Sequence, residues 1–203
     1  MRWPLLFAAA YLLGSVSFSY LIVRALKGRD VRQVGSGNAG ATNVLRTAGA
    51  WPAAAALALD VGKGVAAVTA ARLLAAPPAV AAGAAVAVVV GHVFPIFFGF
   101  RGGKGVATAT GALGALAPPA AVGAFAVFAA AVATTRYVSL GSIAGAASFP
   151  FLVALLQGTR WGGEREPAVL IASALIAGLV IAKHARNLRR LRAGTEHRLG
   201  DHR

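Results

Sequence analysis

The chain has 203 residues, 58% of them hydrophobic, with a formal net charge of +14 and no cysteine. Its mean hydropathy of +0.70 does not fit one soluble core, since soluble domains are roughly 45–50% apolar. The missing cysteines exclude disulfides and thiolate metal sites.

The apolar residues arrive in blocks near 5–23, 51–74, 79–98, 105–117, 120–134, 138–156 and 168–183. A helix that crosses a bilayer needs about 20 such residues, and shorter ones are tolerated at a cost. The pattern predicts an all-α integral membrane protein, a compact bundle of about seven transmembrane helices forming a single membrane domain over 1–203. The runs at 105–117 and 120–134 are short and separated by Pro118-Pro119, so two short spans or one broken hairpin fit them. Alanine dominates the spans, with Gly83, Gly111, Gly114, Gly145 and Gly178 among them. Such small residues let membrane helices approach closely.

Residues 1–20 imitate a signal peptide, yet the apolar run continues to Val23 and meets Arg24, Lys27, Arg29 and Arg32 at once. That is the pattern of a retained span inserted with its N-terminus outside. Seven spans then leave 24–50, 98–104, 135–137 and the tail 184–203 on one side. That side carries Arg24, Lys27, Arg29, Arg32, Arg46, Arg101, Lys104, Arg136, Lys183, Arg186, Arg189, Arg190, Arg192, Arg198 and Arg203. The other side carries only Arg2, Arg72, Arg160 and Arg165, with Lys63 inside the second span. Basic loops stay in the cytoplasm, so the C-terminus is cytoplasmic. The same placement gives the positive charge a topological meaning and removes nucleic acid as a partner.

Four segments on the basic side are rich in donors. The first loop reads GSGNAGATNVLR, Gly35 to Arg46. It fits G-x-G-x-x-G formally, but no buried strand precedes it and Asp60 lies in an apolar span, so the dinucleotide reading fails. An anion-binding loop fits better. Ser36, Asn38, Thr42 and Asn43 supply neutral donors, glycines expose backbone N–H groups, and Arg46 has the fork geometry that suits phosphate.

The second segment, GHVFPIFFGFRGGKGVAT from Gly91 to Thr108, sets Arg101 and Lys104 among glycines between two apolar runs. It is not a P-loop, which needs glycine at Phe98 and Ser or Thr at Gly105. An anion site and a short basic turn both fit it. His92, at the end of the third span, is expected to pack through a hydrogen bond, because neutral imidazole readily finds a partner.

The third, TRYVSLGSI, places Ser139 and Ser142 on one helix face. The fourth, KHARNLRRLRAGTEHR, sets His184 and Asn187 at i, i+3, while Arg189, Arg190 and Arg192 suit anionic lipid heads. A weaker feature is LDVGKG, where Asp60 and Lys63 stand one turn apart inside the second span. Two charges at that depth are best tolerated as a pair, so a structural ion pair is expected.

Taken together, these segments resemble the bacterial acyl-phosphate:glycerol-3-phosphate acyltransferase family of integral membrane enzymes. The likeness also covers YLLGSVSFSYLI in the first span and Gly194 and Glu196 in the tail. It implies a seven-span fold in the bacterial inner membrane with its active site at the cytoplasmic face. It implies transfer of a fatty acyl group from acyl phosphate to the sn-1 hydroxyl of glycerol 3-phosphate, giving lysophosphatidate and phosphate for phospholipid synthesis. Lys104, Arg46, Ser142 and Asn38 would be the catalytic set. Lys104 would touch the reacting phosphate, Ser36, Arg46, His184 and Asn187 would bind glycerol phosphate, and Thr42, Ser142, Gly102 and Gly103 would hold the acyl phosphate, with Gly37 in the same substrate-binding group. No cofactor or metal is implied; the bilayer and an enzyme supplying acyl phosphate are the implied partners.

The H-x-x-x-x-D signature of many other acyltransferases is absent, since Phe97 stands five residues past His92 and Arg189 five past His184. A phosphate oxygen of the substrate, with a second pKa near 6, can take the hydroxyl proton, and a side-chain base such as His92 is the alternative. Two other readings stay open at this stage. An organic-anion transporter would use the same basic loops, and a lipid phosphotransferase would need clustered aspartates where Asp30 and Asp60 stand alone.

Overall fold

A computed structural model describes residues 2–200, and every regular element among them is helical. Arg203, counted above with the cytoplasmic cations, lies outside the described residues. The elements are α1 (Arg2–Ser15), α2 (Phe18–Lys27), α3 (Ala41–Ala48), α4 (Ala50–Leu73), α5 (Pro78–Val93), α6 (Val106–Leu116), α7 (Pro118–Thr135), α8 (Val138–Leu156), α9 (Pro167–Lys183) and α10 (Ala185–Arg192). Short 3-10 turns occupy Val31–Gln33 and Ile96–Phe98. Proline opens α5, α7 and α9, where its missing N–H costs no helical bond.

Five stretches are long and apolar enough to cross a membrane: Arg2–Lys27, Ala50–Leu73, Pro78–Phe98, Pro118–Thr135 and Val138–Leu156. A sixth, Pro167–Lys183 with Ala185–Arg192, qualifies when its two helices, bent by 54°, count as one span. The remaining expected span, the fourth in chain order, is α6. Its 11 residues reach only about 16 Å at 1.5 Å per residue, well short of the roughly 30 Å hydrocarbon core. The chain at 105–134, expected as two short spans or one broken hairpin, forms one short helix and one of spanning length.

The chain divides into two compact units, Met1–Leu116 and Ala117–Arg203. In the first, α4 packs against α1, α2, α3, α5 and α6, while α1 also lies along α5. Glycine permits the closest of these approaches. Gly64 of α4 faces the Thr108 carbonyl, and Gly111 of α6 faces the Val61 carbonyl, so a Cβ at either would meet main chain. In the second unit α8 packs against α7 and α9, and α10 follows α9.

The first expected span is one apolar stretch broken at Val16–Ser17. Ser17 caps α2 by accepting from Tyr20 N–H at 3.4 Å. The last carbonyls of α1 would be orphaned by this break. Lys63 takes one of them and the next carbonyl beyond the helix, its Nζ donating to Gly14 O at 3.0 Å and Val16 O at 2.8 Å. The same ammonium lies 2.8 Å from Asp60 Oδ1, with both side chains almost wholly buried. The expected ion pair is present, and it also holds a helix break.

Gly111→Val should lower the melting temperature in detergent by several degrees, since overpacking costs about 1–3 kcal/mol. Gly178→Val, at a position whose Cβ would meet nothing within 4 Å, should leave it within about 1 °C, since a surface change usually costs under 0.5 kcal/mol. Equal melting of both variants would contradict the close α4–α6 approach.

Candidate active site

In the first unit the segment after α2 folds back through a small set of side chains. Asp30 caps the 3-10 turn by accepting from Arg32 N–H at 2.9 Å. The Arg32 guanidinium grips the same carboxylate, with Nη2 2.7 Å from Oδ2 and Nε 3.0 Å from Oδ1. That hydrogen bonding holds the Asp30 carboxyl below its usual range. Arg32 Nη1 then donates to Phe98 O at 2.7 Å, which ties the first loop to the second. Its guanidinium also lies over the Tyr20 ring, 5.4 Å from the centroid. A cleft of about 570 Å³ opens here, lined by Tyr20, Arg32, Phe97, Phe98, Gly99 and Arg101.

Asn43 was expected to be a donor for an anion. Instead it is buried, and both of its amide protons go to the chain itself, to Val31 O at 2.9 Å and Val34 O at 3.0 Å. Its Oδ1 accepts from Ser36 N–H at 2.9 Å. Asn43 is the frame of the loop, and the residues it holds outward are the candidates. Ser36 and Gly37 are exposed, and Asn38 and Thr42 are half-buried. Gly37 has φ +70°, a left-handed conformation that favours glycine. Gly40 opens α3 with no side-chain cap, so the first backbone N–H groups of that helix face a positive dipole end suited to an anion. Arg46 stands exposed on the last turn.

The second loop is stitched to the end of α5. Gly102 N–H donates to Val93 O at 3.3 Å and Gly103 N–H to His92 O at 3.2 Å. Gly103 is buried, and a Cβ there would collide with both His92 Nε2 and the Ala39 carbonyl. Ala39 belongs to the first loop, so the two glycine-rich segments meet main chain to main chain. Lys104, half-buried, follows directly, two residues before α6. The structure thus places Ser36, Gly37 and Asn38 in the loop before α3 and Thr42 and Arg46 on α3 itself, with Ala39 of that loop against Gly103, next to Gly102 and Lys104.

The second unit holds the other three candidates. Ser142 is buried near the start of α8, and its hydroxyl donates to Val138 O at 2.8 Å, leaving its lone pairs to accept. His184 sits at the α9–α10 bend, 2% exposed, with Nδ1 2.8 Å from Val180 O. A carbonyl only accepts, so Nδ1 carries a proton and Nε2 is the other functional edge. Asn187 donates to Glu196 Oε1 at 2.6 Å, and Arg190 to Oε2 at 2.6 Å. Arg190 is therefore not solely a lipid-facing cation. The tail is laid back further on, where Arg136 Nη2 donates to Leu199 O at 2.6 Å and Arg198 Nε to Tyr137 Oη at 3.2 Å. Arg136, counted above among the cytoplasmic cations, thus also holds the tail.

The donor count alone overlooks the structural roles of Arg32 and Glu196 and assigns Asn43 to the wrong partner. Asp30 and Arg32 two apart signal a local clamp. An asparagine eight positions past a glycine gives no such sign.

A family model described as glycerol-3-phosphate acyltransferase matches residues 4–194. The chain belongs to the glycerol-3-phosphate acyltransferase family. Among curated relatives of that name, one from Geobacter sulfurreducens is 46% identical over 195 residues, covering 96% of each chain. Another, from Halalkalibacterium halodurans, is 46% identical over 199 residues, covering 97% of this chain and 95% of its own. The fold is also that of a crystal structure of PlsY, an integral membrane glycerol 3-phosphate acyltransferase, in its glycerol 3-phosphate form. The TM-score is 0.88 at 38% identity, covering 98% of this chain and 96% of that one. Its lysophosphatidic acid form matches with a TM-score of 0.85 at 36% identity.

Burial disfavours the charged form of Glu196, but hydrogen bonds from Arg190 and Asn187 outweigh it and hold the carboxyl below its ordinary value. A depressed carboxyl stabilises the fold above the unfolded pKa, about 4.3, and loses that contribution as pH falls through the folded value. A nitroxide on Thr195→Cys, in a chain with no other cysteine, should stay immobile from neutral pH to about 4.3 and loosen below it. Adding Glu196→Ala should loosen it at every pH. An unchanged spectrum in that variant would show that the tail is held without Glu196.

Proposed function

We propose that this protein transfers a fatty acyl group from acyl phosphate to the sn-1 hydroxyl of glycerol 3-phosphate, releasing lysophosphatidate and inorganic phosphate. The observation that carries the reading is the meeting of Gly103 with the Ala39 carbonyl, which sets two donor-rich loops side by side. Both substrates are phosphates, and the two segments carry Arg46 and Lys104 among glycines with little side-chain bulk. The family of the chain and the PlsY structures in glycerol 3-phosphate and lysophosphatidic acid forms support the same chemistry.

In this mechanism Lys104 neutralises the phosphate that becomes the leaving group, with the Gly102-Gly103 backbone, Thr42 and Ser142 holding acyl phosphate. Ser36, Gly37, Arg46, His184 and Asn187 bind glycerol 3-phosphate, and Asn38 orients the reacting oxygens. The sn-1 oxygen attacks the acyl carbonyl carbon, the bond from that carbon to the phosphate oxygen breaks, and the hydroxyl proton passes to a phosphate oxygen. A substrate phosphate acts as base because its second pKa lies near 6. Most of the acceleration then comes from proximity and charge neutralisation. No cofactor or metal has a part in these steps.

The same reading makes residues 1–203 one membrane domain of seven spans, counting α1 with α2 as the first and the short α6 as the fourth. The N-terminus faces outward and the tail 184–203 inward, as the positions of the cations indicate. The protein resides in a bacterial inner membrane with its active site at the cytoplasmic face, supplied by an enzyme that makes acyl phosphate.

Lys104→Ala and Arg46→Ala should each insert normally and lose about 10²–10³-fold in turnover, the usual loss for a removed charge-stabilising donor. The assay is lysophosphatidate formation by protein in liposomes. Turnover near wild type in both variants would remove them from the site.

A further inference from the structure

Three buried polar side chains sit behind the loop and take no part in the chemistry proposed above. Lys63, Asp60 and His92 are 4%, 1% and 6% exposed, the burial expected of apolar residues. Lys63 Nζ lies 2.8 Å from Asp60 Oδ1, and the same oxygen faces His92 Nδ1 at 3.5 Å. At that distance Nδ1 makes no hydrogen bond, so the contact with Asp60 is close packing of two polar groups, with Nε2 at the other edge of the ring. That edge lies against Gly103, so closely that a single methyl group there would overlap it. His92 thus lies against the loop backbone through Nε2. It is a surface on which the loop rests.

We propose that Lys63, Asp60 and His92 form one buried positioning relay that fixes the Gly102–Gly103–Lys104 backbone for the proposed reaction. Lys63 anchors the relay by binding the Gly14 carbonyl of α1 and the Val16 carbonyl just past its end. Asp60 transmits that anchor to the imidazole, and the imidazole sets the height of Gly103 against the Ala39 carbonyl. The main-chain bonds from Gly103 N–H to His92 O and from Gly102 N–H to Val93 O hold the strand of the loop along the same helix end. Lys104 is the next residue, so a shift of His92 becomes a shift of the ammonium. These are positioning residues, since none of the three touches substrate in this account. The inference rests on the functional reading above for its consequence, and on the fold alone for its geometry.

The test compares His92→Leu, His92→Asn and His92→Gln in liposomes. Asparagine places an amide N–H near the position of Nδ1 and glutamine near that of Nε2, so only the first restores the contact with Asp60. Hydrogen exchange over 99–105 should quicken at least about tenfold in the Leu and Gln variants and return toward wild type in Asn, with α4 and α5 unchanged. Turnover should fall about 10²-fold in the first two, as for an ångström-scale misplacement, with KM for acyl phosphate raised and that for glycerol 3-phosphate nearly constant. Should His92→Leu fail to insert, Asp60→Asn keeps the volume and carries the same expectation. Equal exchange and turnover in all variants would overturn the relay, and so would faster exchange without loss of turnover. A wild-type protein that transfers no acyl group overturns the functional reading alone, and the exchange result still decides the geometry.

Discussion

The first unit depends on one buried ammonium. Lys63 sits in an apolar helix where a lone cation would cost several kcal/mol, and three oxygens make it tolerable: Asp60 Oδ1, Gly14 O and Val16 O. Each of those contacts has a structural consequence. The two carbonyls allow the first apolar stretch to break at Val16–Ser17, so that α2 leaves α1 and can carry Tyr20 toward Arg32 and Phe98. The carboxylate stays in place beside His92, on which Gly103 rests. Without the lysine, the break, the imidazole and the loop would each need another partner.

Around that centre the two glycine-rich loops are held by the protein's own polar groups. Asp30 and Arg32 close the first loop and reach Phe98, while Asn43 uses its whole amide to fix Val31, Val34 and Ser36. Val31, Ala39 and Val44 bury themselves with Val23, Ala53 and Ala56, so the loop has its own apolar footing. A binding loop of this kind is rigid on one side and open on the other. The rigidity comes from residues that do not face outward, which leaves Ser36, Gly37 and Arg46 on the exposed side.

Much of this was legible in the sequence, for reasons that differ from segment to segment. Hydropathy blocks identify the long helices because lipid demands an unbroken apolar stretch, and the Asp60–Lys63 spacing announces a pair because charges one turn apart can meet. Periodicity could not separate α6 from a span, since its 11 residues are as apolar as the rest and only length distinguishes them. Nor could composition tell Asn43 from Asn38. Both look like donors in a loop, but only the fold shows which one is turned inward. The contact between Asp60 and His92, 32 positions apart, depends on how α4 lies against α5, and no local pattern encodes it.

The proposed account stands or falls on the acyl donor, because a site built around two phosphates has a use for a donor that is itself a phosphate. The direct measurement is lysophosphatidate formation by the purified protein in liposomes, with glycerol 3-phosphate and either acyl phosphate or acyl-CoA at equal concentration. The account predicts product with acyl phosphate, release of one inorganic phosphate per acyl group transferred, and no product above background with acyl-CoA. Efficient transfer from acyl-CoA with none from acyl phosphate would contradict it.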